Sequence, residues 1–133
     1  MSTVTETPIV GRVGDSVLRL DGPPKVKGEF AYSSDLQAAG MLWGQTLRSP
    51  HPHARIVEID ISRAVTMAGV HAVLTHEDVP GAKTYGLEFP DQPVLASDRV
   101  RYYGEPVALV AAEHPEQARR AAAAIRVVYE ELP

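Results

Sequence analysis

A chain of 133 residues, 44% hydrophobic and 23% charged, has the make-up of an ordinary soluble globular domain and the length to bury a core without staples. It contains no cysteine, which excludes disulfides, thiolate nucleophiles, iron–sulfur ligation by this chain and cysteine-type zinc sites. Seventeen acidic against thirteen basic residues leave a formal charge of -4 with no Lys/Arg cluster, so nucleic-acid binding has no electrostatic footprint, and no apolar run approaches a membrane span.

The opening residues 1–8 are polar and lack the basic and apolar regions of a secretory signal. They are expected to be a flexible arm, with 9–133 as the folded domain and the cytoplasm as its compartment. From Ile9 to Lys27 the text is broken by Gly11, Gly14, Gly22, Pro23 and Pro24, which predicts hairpin-like strands and turns. Met41 to Leu47 reads as a strand, and Arg48-Ser49-Pro50-His51-Pro52-His53 interrupts it, because alternate prolines deny both helix and ladder hydrogen bonds. Ala54 to Ile61 alternates, predicting Val57, Ile59 and Ile61 on a buried face.

Ser62 is placed to cap a short helix running to Ala68 and closed by Gly69, before Val70 to Thr75 resumes extended structure. Thr75 to Asp78 suits a capped turn. Residues 81–98 mix glycine, proline and scattered apolar side chains with no sustained period, which predicts a long loop. Val100 to Tyr103 leads to the turn Gly104-Glu105-Pro106 and then to Val107–Ala112, six apolar residues without alternation. Such a run reads as a central strand buried on both faces, with one carboxylate presented at its mouth. His114-Pro115-Glu116 starts a helix whose Ala118, Ala121, Ala122 and Ile125 make a narrow face, with Arg119 and Arg120 outward. Ile125 to Glu130 alternates as a strand, completing a second strand–helix–strand unit and an α+β, mixed-sheet domain.

The chemistry-bearing residues are few. His51 and His53 sit two apart, but two ligands are too few for a closed metal site. Ser49 has a histidine nearby but no glycine elbow, so a nucleophile is not indicated. Glu105 suits either a general base at a strand end or an architectural acid that accepts backbone N–H bonds or pairs with Arg99 or Arg101, and the second reading is favoured. Arg48 and Arg55 flank the histidine–proline segment, where they would clamp a phosphate or carboxylate or make rim contacts at an interface.

Four segments occur in order: Gly22-Pro-Pro-Lys-Val-Lys-Gly-Glu29, Leu47-Arg-Ser-Pro-His-Pro-His-Ala-Arg-Ile56, Val100-Arg-Tyr-Tyr-Gly-Glu-Pro-Val-Ala108 and Val127-Val-Tyr-Glu-Glu-Leu-Pro133. As an ordered set they closely resemble the N-terminal domain of the molybdenum-binding large subunit of xanthine dehydrogenase, aldehyde oxidase and carbon monoxide dehydrogenase. The resemblance implies an α/β hammerhead fold with a mixed sheet and two main helices, at the head of a larger subunit, so that the chain looks like an excised domain or truncated product. It implies that molybdopterin contacts and the catalytic glutamate lie downstream, that iron–sulfur clusters and FAD sit in other domains or subunits, and that this chain alone is inactive. Arg48, Ser49, Pro50, His51, His53, Arg55, Gly104, Glu105 and Pro106 then carry over as family-motif or interface residues rather than as catalytic, cofactor or metal ligands. The segment Tyr85 to Leu95 looks more like the bacterial purine-oxidising branch than the carbon monoxide branch. The expected partners are the downstream molybdopterin-binding domains and other subunits, and the free domain is expected to self-associate. The alternative is an independent binding module that uses the 81–98 loop and the Gly104-Glu105-Pro106 turn to hold a small ligand or protein.

Overall fold

Proline chemistry sets the first element. Pro23 and Pro24 occupy the opening turn of helix α1 (Gly22–Lys27), where a fixed φ and a missing N–H cost nothing, and Gly28 ends it in the left-handed region at φ 73°. This corrects the expectation of hairpin-like strands over 9–27, since no strand forms among the described residues of that stretch. The computed structural model describes residues 11, 13–17 and 19–133, so the expected arm at 1–8 lies outside the described residues. The chain divides into two compact units, residues 1–38 and 39–133. In the first, Asp21 accepts hydrogen bonds from Arg19 and Lys25, and the Lys25 ammonium lies 4.9 Å from the Phe30 ring centroid.

The second unit contains β1 (Trp43–Arg48), β2 (Ala54–Asp60), α2 (Ser62–Val65), β3 (Val70–Leu74), β4 (Thr84–Tyr85), β5 (Gln92–Pro93), β6 (Arg99–Val100), β7 (Pro106–Ala112), α3 (Pro115–Ala124) and β8 (Arg126–Glu131). β7 is the centre of one three-stranded sheet in the order β1-β7-β3, and β2 is the centre of another in the order β6-β2-β8. The apolar run therefore holds the central position predicted for it, but the expected burial on both faces is incomplete: Ala108, Val110 and Ala112 are buried on one face, while Leu109 and Ala111 on the other are half-buried. The α+β class stands. The pairing, expected to be mixed, is antiparallel in every ladder among the described residues. Each strand–helix–strand unit crosses between sheets: β2-α2-β3 passes from the second to the first, and β7-α3-β8 passes back.

Helix α3 forms as its sequence dictates. Pro115 opens it, the His114 ring accepts from the Glu116 N–H at 3.2 Å, and Ala118, Ala121 and Ala122 are buried. Those alanines let α3 lie close over Ala108 and Val110 of β7 and Val73 of β3, with Leu47 and Ile125 completing the cluster. A second cluster, Ala54, Ala96, Val100 and Val107, lies against the other sheet, and Ile59 and Val127 pack on both. Among the described residues, eight of the thirteen buried apolar side chains are alanine, and the largest fully buried one of any kind is Glu105. The core is consequently thin, and its stability depends on close backbone approach. No helix among the described residues is long and apolar enough to cross a membrane.

Three local expectations change. Strand β2 carries a bulge between Ile56 and Glu58, so the alternation slips, Val57 stands exposed and Ile56 takes its place against the core. Ser62 is the first helical residue rather than the cap: its N–H donates to the Asp60 carboxylate at 3.0 Å, and α2 stops at Val65 instead of Ala68. The 81–98 loop contains a minimal hairpin, β4 against β5, closed so tightly at Gly86 that a Cβ there would run into the Phe89 carbonyl oxygen. The Thr75–Asp78 turn forms as expected, with the Asp78 carboxylate accepting from the Thr75 N–H at 2.8 Å.

The alanine face gives the first test. Ala121 is fully buried under the sheet, so Ala121→Leu overpacks the helix–sheet seam and lowers stability by about 1–3 kcal/mol. Ala123→Leu, on the exposed side of α3, changes it by less than about 0.5 kcal/mol. Urea unfolding of the two variants measures the difference, and equal midpoints would remove α3 from the core.

Candidate functional site

Two motif segments that are 56 residues apart in sequence meet in space. Antiparallel pairing of β1 with β7 sets Arg48 opposite Pro106 after a bulge, so the Arg48–His53 corner closes on the Gly104–Pro106 turn. The Ser49 N–H donates to the Glu105 carbonyl and the Gly104 N–H donates to the Ser49 carbonyl, both at 2.9 Å. The Arg48 guanidinium donates to the Gly104 carbonyl at 2.9 Å. Ser49 is buried, and its hydroxyl both accepts from the His51 N–H and donates to the His51 carbonyl, each at 3.0 Å. Gly104 itself sits at φ 87°, a conformation open to glycine and unfavourable to other residues.

The Glu105 carboxylate, 2% exposed, points inward and accepts from the Arg101 N–H. Its other oxygen lies 3.7 Å from the Arg101 guanidinium. Of the two arginines expected as partners, Arg101 is the one engaged, while Arg99 pairs with Asp98 at 3.0 Å. A carboxylate held this way makes a charge-assisted hydrogen bond and closes the turn from Arg101 to Glu105.

The remaining motif residues take separate partners. His51 lies 3.3 Å from the Glu131 carboxylate with its ring 4.9 Å from Tyr129, and His53 donates from Nδ1 to the Pro133 carbonyl at 2.9 Å. Arg55 pairs with Glu130 across the β2-β8 ladder. Pro50 is an exposed corner residue, and the Pro106 carbonyl accepts from the Ala96 N–H at 2.8 Å. No three His, Asp or Glu side chains come together to hold a metal ion among the described residues. Sequence reasoning did not anticipate Ala96, whose main chain ties the loop to β7. It also did not anticipate the contact of the Tyr129 ring with the His51 ring at 4.9 Å; both contacts depend on tertiary proximity and leave no local pattern.

Of the hollows in the second unit, two matter for the site. One of about 370 Å³ sits between β2 and the Thr75–Glu77 turn and contains His76, whose buried Nδ1 has no hydrogen-bond partner among the described residues. The other, of about 350 Å³, is an apolar groove containing Leu74, Val79, Val94 and Leu109. The Glu105 carboxylate lines neither.

Glu105→Ala deletes a charged acceptor and lowers stability by about 1.5–3 kcal/mol, while Glu105→Gln keeps an oxygen for the Arg101 N–H and loses less. Urea midpoints equal to that of the unsubstituted chain in both variants would show the carboxylate to be structurally idle. Burial pushes the Tyr129 phenol above its ordinary range, with the Ser49 hydrogen bond working the other way. A raised folded value contributes stability that is complete below the unfolded pKa and is lost as pH rises through the folded one. Alkaline destabilisation therefore sets in above about pH 10, and Tyr129→Phe should flatten that limb in urea midpoints measured against pH.

The family profile described as "Aldehyde oxidase and xanthine dehydrogenase, a/b hammerhead domain" matches residues 27–133. A probable xanthine dehydrogenase subunit of Bacillus subtilis (strain 168) is 52% identical over 117 residues, covering 88% of this chain and 16% of that protein. The Nicotinate dehydrogenase large molybdopterin subunit of Eubacterium barkeri is 39% identical, covering 90% of this chain and 28% of its own length. The crystal structure of the aldehyde oxidoreductase from Desulfovibrio desulfuricans ATCC 27774 superposes with a TM-score of 0.84 at 31% identity, over 90% of this chain and 15% of that one. The chain thus spans between about a seventh and about a quarter of these relatives, and with its profile match, its fold and its ordered motifs it belongs to the a/b hammerhead domain family of aldehyde oxidases and xanthine dehydrogenases.

Proposed function

We propose that this chain is the structural hammerhead domain of a molybdenum hydroxylase of the purine-oxidising kind, and that it carries no catalytic group of its own. The observation that carries this reading is how the motif residues use their polar atoms. The Arg48 guanidinium, the Ser49 hydroxyl and the Glu105 carboxylate are each engaged by the chain itself, which leaves no open acid, base or nucleophile among them. The identity to the Bacillus subtilis protein supports the purine-oxidising assignment.

A molybdopterin does not fit these residues. Its phosphate and pterin edges need open N–H groups and free cations, whereas Gly104 and Ser49 spend their N–H groups on each other's segment and Arg55 is paired with Glu130. The cofactor, with iron–sulfur clusters and FAD, belongs on this reading to other parts of the enzyme, and the hammerhead serves them as a docked scaffold. Exposed large apolar side chains from several parts of the second unit, including Trp43, Leu74, Val94 and Tyr103, support a domain with neighbours to pack against. The independent binding-module reading is weaker, because the carboxylate it depends on faces the interior.

Molybdenum analysis tests the proposal. The 133-residue chain purified alone should hold no stoichiometric molybdenum and turn over no purine or aldehyde, and stoichiometric metal would overturn the scaffold role. A thermal-shift screen of purines, aldehydes and N-heterocycles should be flat, since a true ligand at roughly 100 times its Kd would add about 2.7 kcal/mol.

A further inference from the structure

The sheet β1-β7-β3 has two faces with different fates. On one, Ala108, Val110 and Val73 lie under α3. On the other, Thr46, Leu109 and Leu74 stand in one cross-strand row, since Thr46 and Leu74 both pair with Leu109. That row floors the groove of about 350 Å³, walled by Val79 and Pro80 on one side and by Val94 and Leu95 on the other. Leu74 and Val94 are still 37% and 38% exposed.

The groove's chemistry is one-sided. Among the described residues Asp78 is the only ionisable one lining it, and that carboxylate is held by the Thr75 N–H and hydroxyl at 2.8 and 3.2 Å. A nucleotide, a sugar or a charged peptide would find no spare donor or counter-charge there; an uncharged apolar segment would find a preformed bed.

From this the geometry points to an assignment that rests on the scaffold reading above: the groove is the seat of an apolar segment from the molybdopterin-bearing remainder of the same large subunit. Size decides between that occupant and a second copy. Nine residues line the groove, well short of the roughly 20–30 a side that a stable complex of separate chains uses. A covalently joined segment needs far less, because linkage supplies an effective concentration on the order of millimolar. In the Bacillus subtilis and Eubacterium barkeri relatives the matched region is 16% and 28% of the protein, so most of each polypeptide is available as that neighbour.

The test uses the complete large subunit that carries this domain. The domain has no cysteine, so single substitutions Leu74→Cys and Val94→Cys report groove access by maleimide labelling, resolved by peptide mass spectrometry. Val65→Cys and Tyr103→Cys, at positions 47% and 74% exposed, report other faces. The expected result is labelling at both groove positions roughly tenfold or more slower than in the urea-unfolded subunit, as for a thiol shut from solvent, and unchanged on dilution. Protection that disappears on dilution would identify a second copy and overturn the assignment. Free labelling in the groove with Val65→Cys or Tyr103→Cys protected would overturn the groove alone and leave the scaffold reading standing. Free labelling at all four positions would remove the docked scaffold as well.

Discussion

The structure depends on a carboxylate in the place where a small domain would ordinarily keep a leucine or phenylalanine. Glu105 is the largest fully buried side chain among the described residues, and an ionised group there is tolerable only because its charge is hydrogen-bonded and partnered. The Arg101 N–H and guanidinium supply that partner, and the Ser49 main chain clasps the Glu105 backbone from the opposite strand. An apolar residue would pack as well and would leave the Arg101 N–H and the turn unspecified. The carboxylate therefore acts on conformation more than on net stability, a division of labour found for some buried polar groups. Its location explains why the conformation matters. Immediately before it, β6 belongs to one sheet, and immediately after it, β7 begins the other. The Arg101–Glu105 turn is one of the points where the chain changes sheets, and an error there would misplace the central strand of the next.

The rest of the core is built for proximity instead of bulk. Alanines on α3 and in β7 allow helix and sheet backbones to approach, so tight packing is obtained with little volume. The same economy appears where α2 turns into β3. Gly69, at φ 79°, leaves so little room that an added Cβ would collide with the Gln117 amide on α3, and its carbonyl accepts from the Glu113 N–H at 2.9 Å. A core of this kind leaves larger apolar side chains for the surface, which is where Trp43, Leu74 and Val94 are found.

What was legible in the sequence follows from how local each cause was. The continuous run Val107–Ala112 announced the central strand but overstated its cover, since Leu109 and Ala111 on one face are only half-buried; the proline, acid and alanine order from Pro115 announced α3, because that signal resides within its own element. Val57 misled because a bulge is a property of two strands: alternation alone places Val57 with Ile59, and only the β8 register reveals the extra residue. Gly22-Pro23-Pro24 misled in another way, since the residues that punctuate loops are also those that suit the first turn of a helix. The sheet pairing was illegible for a topological reason. Both strand–helix–strand units look like parallel crossovers within one sheet, and each instead steps between two antiparallel sheets. Within the site, Glu105 was legible as an architectural acid with an arginine partner, whereas its meeting with Ser49 depended on the β1-β7 register.

The knot and the groove are joined through Pro106. It follows Glu105, begins β7, accepts the Ala96 N–H through its carbonyl, and lines the groove beside Leu109. Ala96 in turn follows Val94 and Leu95 of the groove wall, so one hydrogen bond of 2.8 Å fixes wall to floor. A surface held this rigidly loses little conformational entropy when something settles on it, and that saving is the part of binding free energy that buried area alone does not supply. The buried glutamate thus has a consequence at the surface. By fixing the turn that starts β7, it fixes the shape of the apolar bed, so that Gly104, Glu105 and Pro106 act together on one surface.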